Sequence, residues 1–206
     1  MACYNEDKAK GVDGLPDSSI TKKALAQALK DLMRQRPFEK ISVGDICARC
    51  EMNRKSFYYH FKDKYDLVEW IFYSEFILCL DQSHSEDGWD LLTQICKYFY
   101  DERVFYGKLL RLTGQNSFRQ YFRDYLCSVV APFLLSATQG AFAASEESGF
   151  CVTFFSDAML VSIMRWLTEG AHMPPEQYVG QLKSVFRHLS AYADSLSDLE
   201  PPMQGD

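Results

Sequence analysis

The feature of this sequence that most restricts its fold is a helical repeat of apolar residues along nearly the whole chain. From residue 20 onward, apolar side chains return at spacings of three and four, which places them on one face of an α-helix. No segment of useful length alternates apolar and polar residues with the period of two that a half-buried strand requires. Glycine, proline and short polar runs separate the helical segments. The sequence therefore predicts an all-α protein.

The predicted helices fall into a short N-terminal group and a longer C-terminal group. The first helix runs from residue 20 to a stop at Pro37. Ser42 and Asp45 form a capping box at the start of a second, short helix, and Asn53 caps a third. The later apolar stripes predict helices over 64–80, 91–101, 104–112, 118–138, 150–171 and 176–196, with a loop over 139–149.

Charge separates the same two groups. Residues 20–64 hold eleven Lys or Arg against five Asp or Glu, whereas residues 65–206 hold nine against nineteen. A basic segment followed by an acidic one indicates two units, of which the first faces a polyanion. Residues 1–19 have no apolar period and are interpreted as a flexible arm. The predicted domains are this arm, a DNA-binding domain over 20–64 and a larger helical domain over 65–206.

The third short helix carries the residues that we expect to contact DNA. A tight turn separates it from the second helix, which is the arrangement of a helix-turn-helix unit. Phe57 and Phe61 stand four residues apart and face the core, so the other side chains face outward. Arg54 or Lys55, at the N-terminal tip, can donate to a guanine edge in the major groove. The outward side chains are Arg54, Lys55, Ser56, Tyr58, Tyr59 and His60.

The segment from about residue 20 to 72 resembles the tetracycline-repressor (TetR/AcrR) family of bacterial transcription regulators. The resemblance lies in the motifs ISVGDI over 41–46 and FYYHFKDKYDL over 57–67. It implies three DNA-binding helices followed by a larger helical domain that dimerises and commonly binds an effector. By resemblance, the positions expected to contact phosphates are Ser42, Tyr58, Tyr59 and Lys64. The positions expected to face bases or adjacent backbone are Arg54, Lys55, Ser56 and His60.

One position in the turn departs from the family pattern. Glu51 stands where the family usually carries glycine. Either Glu51 adopts a left-handed backbone conformation, at a cost of roughly 1 kcal/mol, or the turn has another geometry.

The expected function is that of a bacterial one-component regulator, a repressor that binds a palindromic operator as a dimer. An effector in the C-terminal domain would release or modulate it. The C-terminal part also resembles a subgroup that includes activators of dihydroxyacetone-kinase operons, in which the effector is a protein subunit. The alternative is therefore a helical interaction module or co-activator whose effector is another protein. Most aromatic residues of this domain are expected in the core, and four are candidates for an effector site: Tyr98, Tyr121, Tyr125 and Trp166.

The sequence contains no pattern that indicates an enzyme, a cofactor or a metal site. It has no nucleophile with a base, no glycine-rich phosphate loop and no paired-carboxylate motif. Cys47 and Cys50 have the spacing of zinc ligands, but without a second pair they are predicted to pack in the core. No signal peptide and no run of about 18 apolar residues is found, so we expect a cytoplasmic protein without membrane contact.

The last two predicted helices carry apolar residues on more than one face. Along the helix over 150–171, Phe154, Ala158, Val161 and Arg165 trace one side, and further apolar residues lie off it. The helix over 176–196 shows the same surplus. One intramolecular face does not need so many apolar residues, and a second copy of the chain most simply covers the rest. We therefore expect a homodimer built on these two helices.

Overall fold

The computed structural model describes residues 16–78, 88–112, 117–137 and 146–197, and every regular element in these ranges is helical. This confirms the all-α prediction. The first helix, α1, spans Pro16–Gln35, so it begins four residues before the predicted start, and the arm prediction is wrong for 16–19. Proline favours the first helical position because its missing amide has no partner there. Residues 1–15 of the predicted arm lie outside the described residues.

The N-terminal helices form the predicted three-helix unit. After α1 come a single 3-10 turn, Phe38–Lys40, and the helices α2, Val43–Arg49, and α3, Arg54–His60. α1 packs against α2, and α2 packs against α3. Each helix contributes to one apolar core, because a helix this short is stable only when its apolar face is buried. The central buried side chains are Leu25, Leu29, Met33, Ile46 and Phe57.

The fourth helix belongs to both halves of the molecule. α4 spans Lys64–Phe72 and continues as a π-helical segment, Tyr73–Ile77. It packs against α1 on one side and against a later helix, α7 (Phe118–Ala137), on the other. The buried residues from Leu25 to Val179 form one cluster, with no break at the predicted boundary between residues 64 and 65. The described core is therefore continuous through α4.

Aromatic rings from three C-terminal helices pack around the side chain of Phe72. α7 packs along α8 (Glu146–Thr168), and α9 (Pro175–Ser197) packs along α5 (Gly88–Asp101). The predicted loop over 139–149 is wrong for 146–149, which are the first turn of α8, and 139–145 lie outside the described residues. The C-terminal helices are α5, Gly88–Asp101; α6, Arg103–Leu109; α7, Phe118–Ala137; α8, Glu146–Thr168; and α9, Pro175–Ser197.

One described segment, residues 148–168 within α8, is long and apolar enough to cross a membrane by length and composition alone. Only 28% of its apolar stretch is buried among the described residues, and a single helix of this kind is weak evidence for a membrane span. In this chain α8 packs along α7, and Asp157 in its middle pairs with Arg123 of α7 at 2.5 Å. A carboxylate at mid-helix is costly in hydrocarbon, so the pair fits a helix bundle.

A buried lysine joins α1 to the C-terminal helices. The Nζ atom of Lys30 lies 2.5 Å from Glu75 in the π-helical segment and 3.2 Å from Glu102 at the start of α6. The same Glu75 carboxylate accepts a hydrogen bond from Tyr98 at 3.0 Å. The hydroxyl groups of Tyr98 and Tyr106 lie 2.9 Å apart, and Tyr106 is fully buried. Charge and hydrogen bonds thus connect four helices at this point.

Replacing Lys30 with alanine is expected to lower the free energy of unfolding by about 2–3 kcal/mol, because two carboxylates would lose their shared cation. Both carboxylates are partly exposed, so water screens part of this interaction. The matched control is Lys97→Ala, which breaks an exposed pair with Glu176 at 3.0 Å and should cost less than about 1 kcal/mol. Urea denaturation at pH 7 measures both, and equal losses would contradict a structural role for Lys30.

Candidate nucleic-acid interface

The start of α2 is fixed by the capping box predicted from the sequence. The amide of Asp45 donates to Ser42 Oγ at 3.2 Å, and the amide of Ser42 donates to the Asp45 carboxylate at 2.8 Å. Hydrogen bonds from Ser42, with help from Arg36, lower the pKa of Asp45 to about 2. The Ser42 hydroxyl also donates to this carboxylate at 2.6 Å. Ser42 is exposed at the surface, but its hydroxyl proton is already committed to the cap.

The turn between α2 and α3 keeps the left-handed geometry for which glycine is usual. Glu51 has a φ of 56°, so the first of the two alternatives for this position is correct. An L-residue in this region costs roughly 1 kcal/mol, which the packing of the two helices must offset. Asn53 then caps α3 by accepting from the amide of Ser56 at 2.8 Å. The Ser56 hydroxyl donates to the same oxygen at 3.1 Å, so Ser56 is part of the cap.

The outer face of α3 is polar, aromatic and exposed, as predicted. Phe57 and Phe61 are buried with their ring centroids 5.7 Å apart, and they anchor α3 to the core. Tyr58 is 58% exposed and Tyr59 is 83% exposed. Two phenol rings with so much surface in water gain little from the fold of the monomer. They are therefore available for a partner.

His60 lies at the edge of this face and is half-buried. Its ring packs edge-on against Tyr59, with centroids 4.9 Å apart, and near Phe61. Burial and the positive charge of Lys22 hold the pKa of His60 below its ordinary value. The imidazole is therefore neutral at pH 7 and can donate or accept one hydrogen bond.

The two basic residues at the tip of α3 are exposed. Arg54 and Lys55 are the first two residues of the helix, and no ion pair to either is found among the described residues. Arg54 packs against the backbone of Gly44 in α2. The structure thus brings the predicted contact residues of α3 onto one surface.

Lys64 has a different role from the one predicted. Its Nζ atom donates to the carbonyl oxygens of Phe38 and Ile41, both at 2.8 Å, and to that of Glu39 at 3.4 Å. The ammonium group also lies 4.4 Å from the centroid of the Phe38 ring. Burial lowers its pKa. All three donors are used within the protein, so this geometry gives Lys64 a structural role in place of a phosphate contact.

The Lys64→Met substitution is expected to lower the free energy of unfolding by about 1–2 kcal/mol, because the carbonyl groups around the 3-10 turn lose their donor. The salt dependence of DNA binding should stay the same, whereas loss of a phosphate contact would lower its slope by about one. Lys62→Met, at an exposed neighbour, is the control for stability. If Lys64→Met left the stability unchanged and lowered the slope of the salt dependence, Lys64 would be a phosphate contact as first predicted.

The four aromatic residues predicted for an effector site pack against other aromatic rings. Tyr98, Tyr121 and Tyr125 all lie against Phe72, with centroid distances of 6.3, 6.0 and 5.5 Å. Trp166 stacks on another ring and donates its indole N–H to the carbonyl of residue 173 at 2.9 Å. These contacts give the four residues a packing role, as large rings have in a helical bundle, and their part in an effector site stays a prediction.

A small apolar cavity lies between α5, α7 and α8. Its volume is about 30 Å³, which is room for about two water molecules. A metabolite would need side chains to move before it could enter. None of the four predicted aromatics lines this cavity. Its lining residues are Gly88, Trp89, Leu92, Ile95, Leu126, Val129, Val130 and Met159.

The fold and the surface together define a helix-turn-helix protein with a C-terminal helical domain. Residues 25–71 match the family model of the bacterial regulatory proteins of the tetR family, and residues 87–188 match that of a transcriptional regulator C-terminal region. The chain therefore belongs to the TetR family of transcriptional regulators. Proteins of this family are transcription factors and not enzymes. This confirms the family predicted from the sequence motifs and the prediction that the protein is not an enzyme.

The chain is similar to a transcriptional activator, the HTH-type dhaKLM operon transcriptional activator DhaS of Lactococcus lactis subsp. lactis (strain IL1403). They are 31% identical over 106 residues, which is 51% of this chain and 56% of that protein. The match thus spans little more than half of the relative's length.

Two solved structures share the fold. The dihydroxyacetone kinase operon activator DhaS has a TM-score of 0.62 and 22% identity, over 82% of this chain and 96% of that chain. A TetR transcriptional regulator from Streptococcus agalactiae 2603V has a TM-score of 0.62 and 22% identity, over 80% of this chain and 92% of that chain. At this identity the likeness concerns the fold.

Sequence reasoning missed three contacts around the site. The ion pair between Arg36 and Asp45 at 3.1 Å, the hydrogen bonds of Lys64 and the packing of Arg54 on Gly44 all join residues that are distant in sequence or lie on different helices. No local pattern specifies such contacts. The one signal in the sequence was Gly44, because a glycine inside a short helix can indicate a close approach to the backbone.

Proposed function

We propose that this TetR-family protein is a cytoplasmic one-component repressor that binds a palindromic DNA operator as a homodimer. In this proposal residues 20–64 bind DNA, and residues 65–206 dimerise and receive the effector. The outer face of α3 carries the proposal. Tyr59 is 83% exposed beside Tyr58, Arg54 and Lys55, while the opposite face of α3 is anchored in the core. A rigid basic and aromatic helix of this kind fits the major groove.

The residues of this face divide into two proposed roles. Arg54 and Lys55 stand at the N-terminal tip of α3, from which side chains reach base edges, and a guanidinium can donate two hydrogen bonds to guanine. Tyr58 and Tyr59 carry hydroxyl groups that suit phosphate oxygens. The remaining proposed contacts are Ser56 and His60 on α3 and Ser42 at the start of α2, although the Ser42 hydroxyl proton is held by Asp45.

Arg54→Ala and Lys55→Ala are expected to weaken binding to a preferred operator by about 1–3 kcal/mol each, and binding to random duplex DNA by less, because base contacts carry sequence discrimination. The operator is first selected from a pool of random duplexes. Dissociation constants are then measured on both DNAs over a range of salt. Lys97→Ala, an exposed lysine on α5, is the control and should change neither. Equal losses on the two DNAs would show that neither residue reads bases.

An exposed apolar stripe on α8 supports the proposed homodimer. Phe150 is 72% exposed, Phe154 is 57% exposed and Val161 is 46% exposed. Their spacing of four and seven residues places them on one side of α8, together with the exposed Ala158 and Arg165. The sequence pattern traces this side of α8 but assigns the apolar residues off it as the surplus for a partner, so the exposure of Phe154 and Val161 reverses that assignment.

The apolar residues off this stripe already pack inside the protein. The Phe155 ring lies 5.3 Å from that of Phe186 on α9, and Trp166 stacks 4.7 Å from Tyr178. Among the described residues, the stripe is therefore apolar surface that the monomer leaves in water, and Val185 on α9 is exposed as well. A two-fold copy that covers both helices would bury more than about 1,000 Å², as stable interfaces do, and would present two α3 helices to a palindromic site.

The wild-type protein is expected to sediment at twice its chain mass of 23.8 kDa at low micromolar concentration. Phe154→Glu should shift it toward the monomer, because a buried unpaired carboxylate in an interface is costly. Val104→Glu is the matched control, since Val104 is also exposed but lies on α6, and the dimer should persist. Analytical ultracentrifugation measures all three. A wild-type species of 23.8 kDa would contradict the dimer and the palindromic operator.

A second candidate is an activator or co-activator whose effector is another protein. Two observations favour it. The similar Lactococcus protein is named as an activator, and the apolar cavity described between α5, α7 and α8 has room for only about two water molecules. A reporter gene placed behind the selected operator distinguishes the candidates. Deletion of the regulator raises expression for a repressor and lowers it for an activator.

A further inference from the structure

The guanidinium group of Arg54 occupies the place that a side chain at Gly44 would take. An ideal Cβ atom at Gly44 would lie 2.5 Å from Nη2, 3.0 Å from Nε and 3.1 Å from Cζ of Arg54. A contact of 2.5 Å is shorter than real Cβ atoms make. The guanidinium of Arg54, at the end of a flexible side chain, therefore lies close to the backbone of α2 at this point.

The backbone at residue 44 does not itself require glycine. Gly44 is the second residue of α2, and it is not among the described residues with positive φ. Alanine favours a helix more than glycine does, so glycine here is a local cost. What glycine provides is the space into which the guanidinium of Arg54 fits.

The charges around this contact do not hold Arg54 by themselves. The nearest acidic residue on α2, Asp45, is paired with Arg36 at 3.1 Å and accepts two hydrogen bonds from Ser42. Within the described ranges, no carboxylate forms an ion pair with Arg54. The shape of α2 at Gly44 is thus what fits this orientation of the guanidinium.

We propose that Gly44 is a specificity-determining residue of the DNA interface, which sets the orientation of Arg54 by leaving space for its guanidinium on α2. The inference rests on the proposed function. A side chain at residue 44 would push the guanidinium outward, so the same arginine would meet a different part of the duplex. Gly44 needs no contact of its own with DNA to have this effect.

The test is a double-mutant cycle with Gly44→Ala and Arg54→Ala, measured on the selected operator and on random duplex DNA. Gly44→Ala is expected to weaken operator binding about 5- to 20-fold, which is part of the value of a base contact, and to change random binding less than about twofold. In the Arg54→Ala background, Gly44→Ala should have no further effect on operator binding, because the guanidinium that it would displace is absent. Thermal unfolding should show no loss of stability, since alanine favours α2.

The matched control is Gly107→Ala, at a helical glycine whose nearest neighbour would be a carbonyl oxygen at an ordinary 3.9 Å. It should leave DNA binding unchanged. A loss on Gly44→Ala that is as large without Arg54 would overturn the proposal, and so would unchanged operator binding or a loss of helical signal by circular dichroism. If wild-type protein selects no duplex at all, the proposed function fails instead, which is a different result.

Discussion

The position of the DNA-binding helices depends on the buried ammonium group of Lys30. A cation in this environment is stable only beside carboxylates, and its two partners, Glu75 and Glu102, come from other helices. These ion pairs therefore favour the observed orientation of α1 against α4 and α6. α2 packs on α1, and α3 packs on α2. The orientation of the outer face of α3 therefore depends on the ion pairs of Lys30. The carbonyl of Met33, one turn further along α1, accepts from Lys108 of α6 and strengthens the same contact.

α4 connects this cluster to the rest of the core. Its Phe72 ring contacts rings from α5, α6 and α7, and the π-helical segment that follows carries Glu75 to Lys30. π-helical turns are rare and often occur at functional positions. A shift of α4 along its axis would have to move Lys30 or break its ion pairs. The basic N-terminal helices and the acidic C-terminal helices are thus connected by α4 and by the buried ammonium group of Lys30.

Local patterns predicted the elements of this protein well, because caps and apolar periods act within one turn of a helix. The Ser42 and Asp45 capping box, the Asn53 cap and the outward face of α3 all lie as expected. Roles that depend on distant residues were harder to predict. Lysine is a residue type that commonly contacts phosphate, but the ammonium group of Lys64 donates to three carbonyl oxygens within residues 38–41. The four effector-site candidates make packing contacts with other core rings, which could not be predicted because ring size alone does not say what a ring faces.

The sequence by itself determined the helices, the split between basic and acidic halves, the exposed face of α3 and the TetR motifs. These features follow from spacing and side-chain type, which the chain carries whatever its tertiary structure. The tertiary structure decided which charges meet, which apolar faces stay exposed and where Arg54 lies. Each of these depends on the approach of two helices, as at Gly44, where the absence of a side chain matters only because α3 packs there. Contacts between helices are fixed by packing and charge in three dimensions, and no spacing along the chain encodes them.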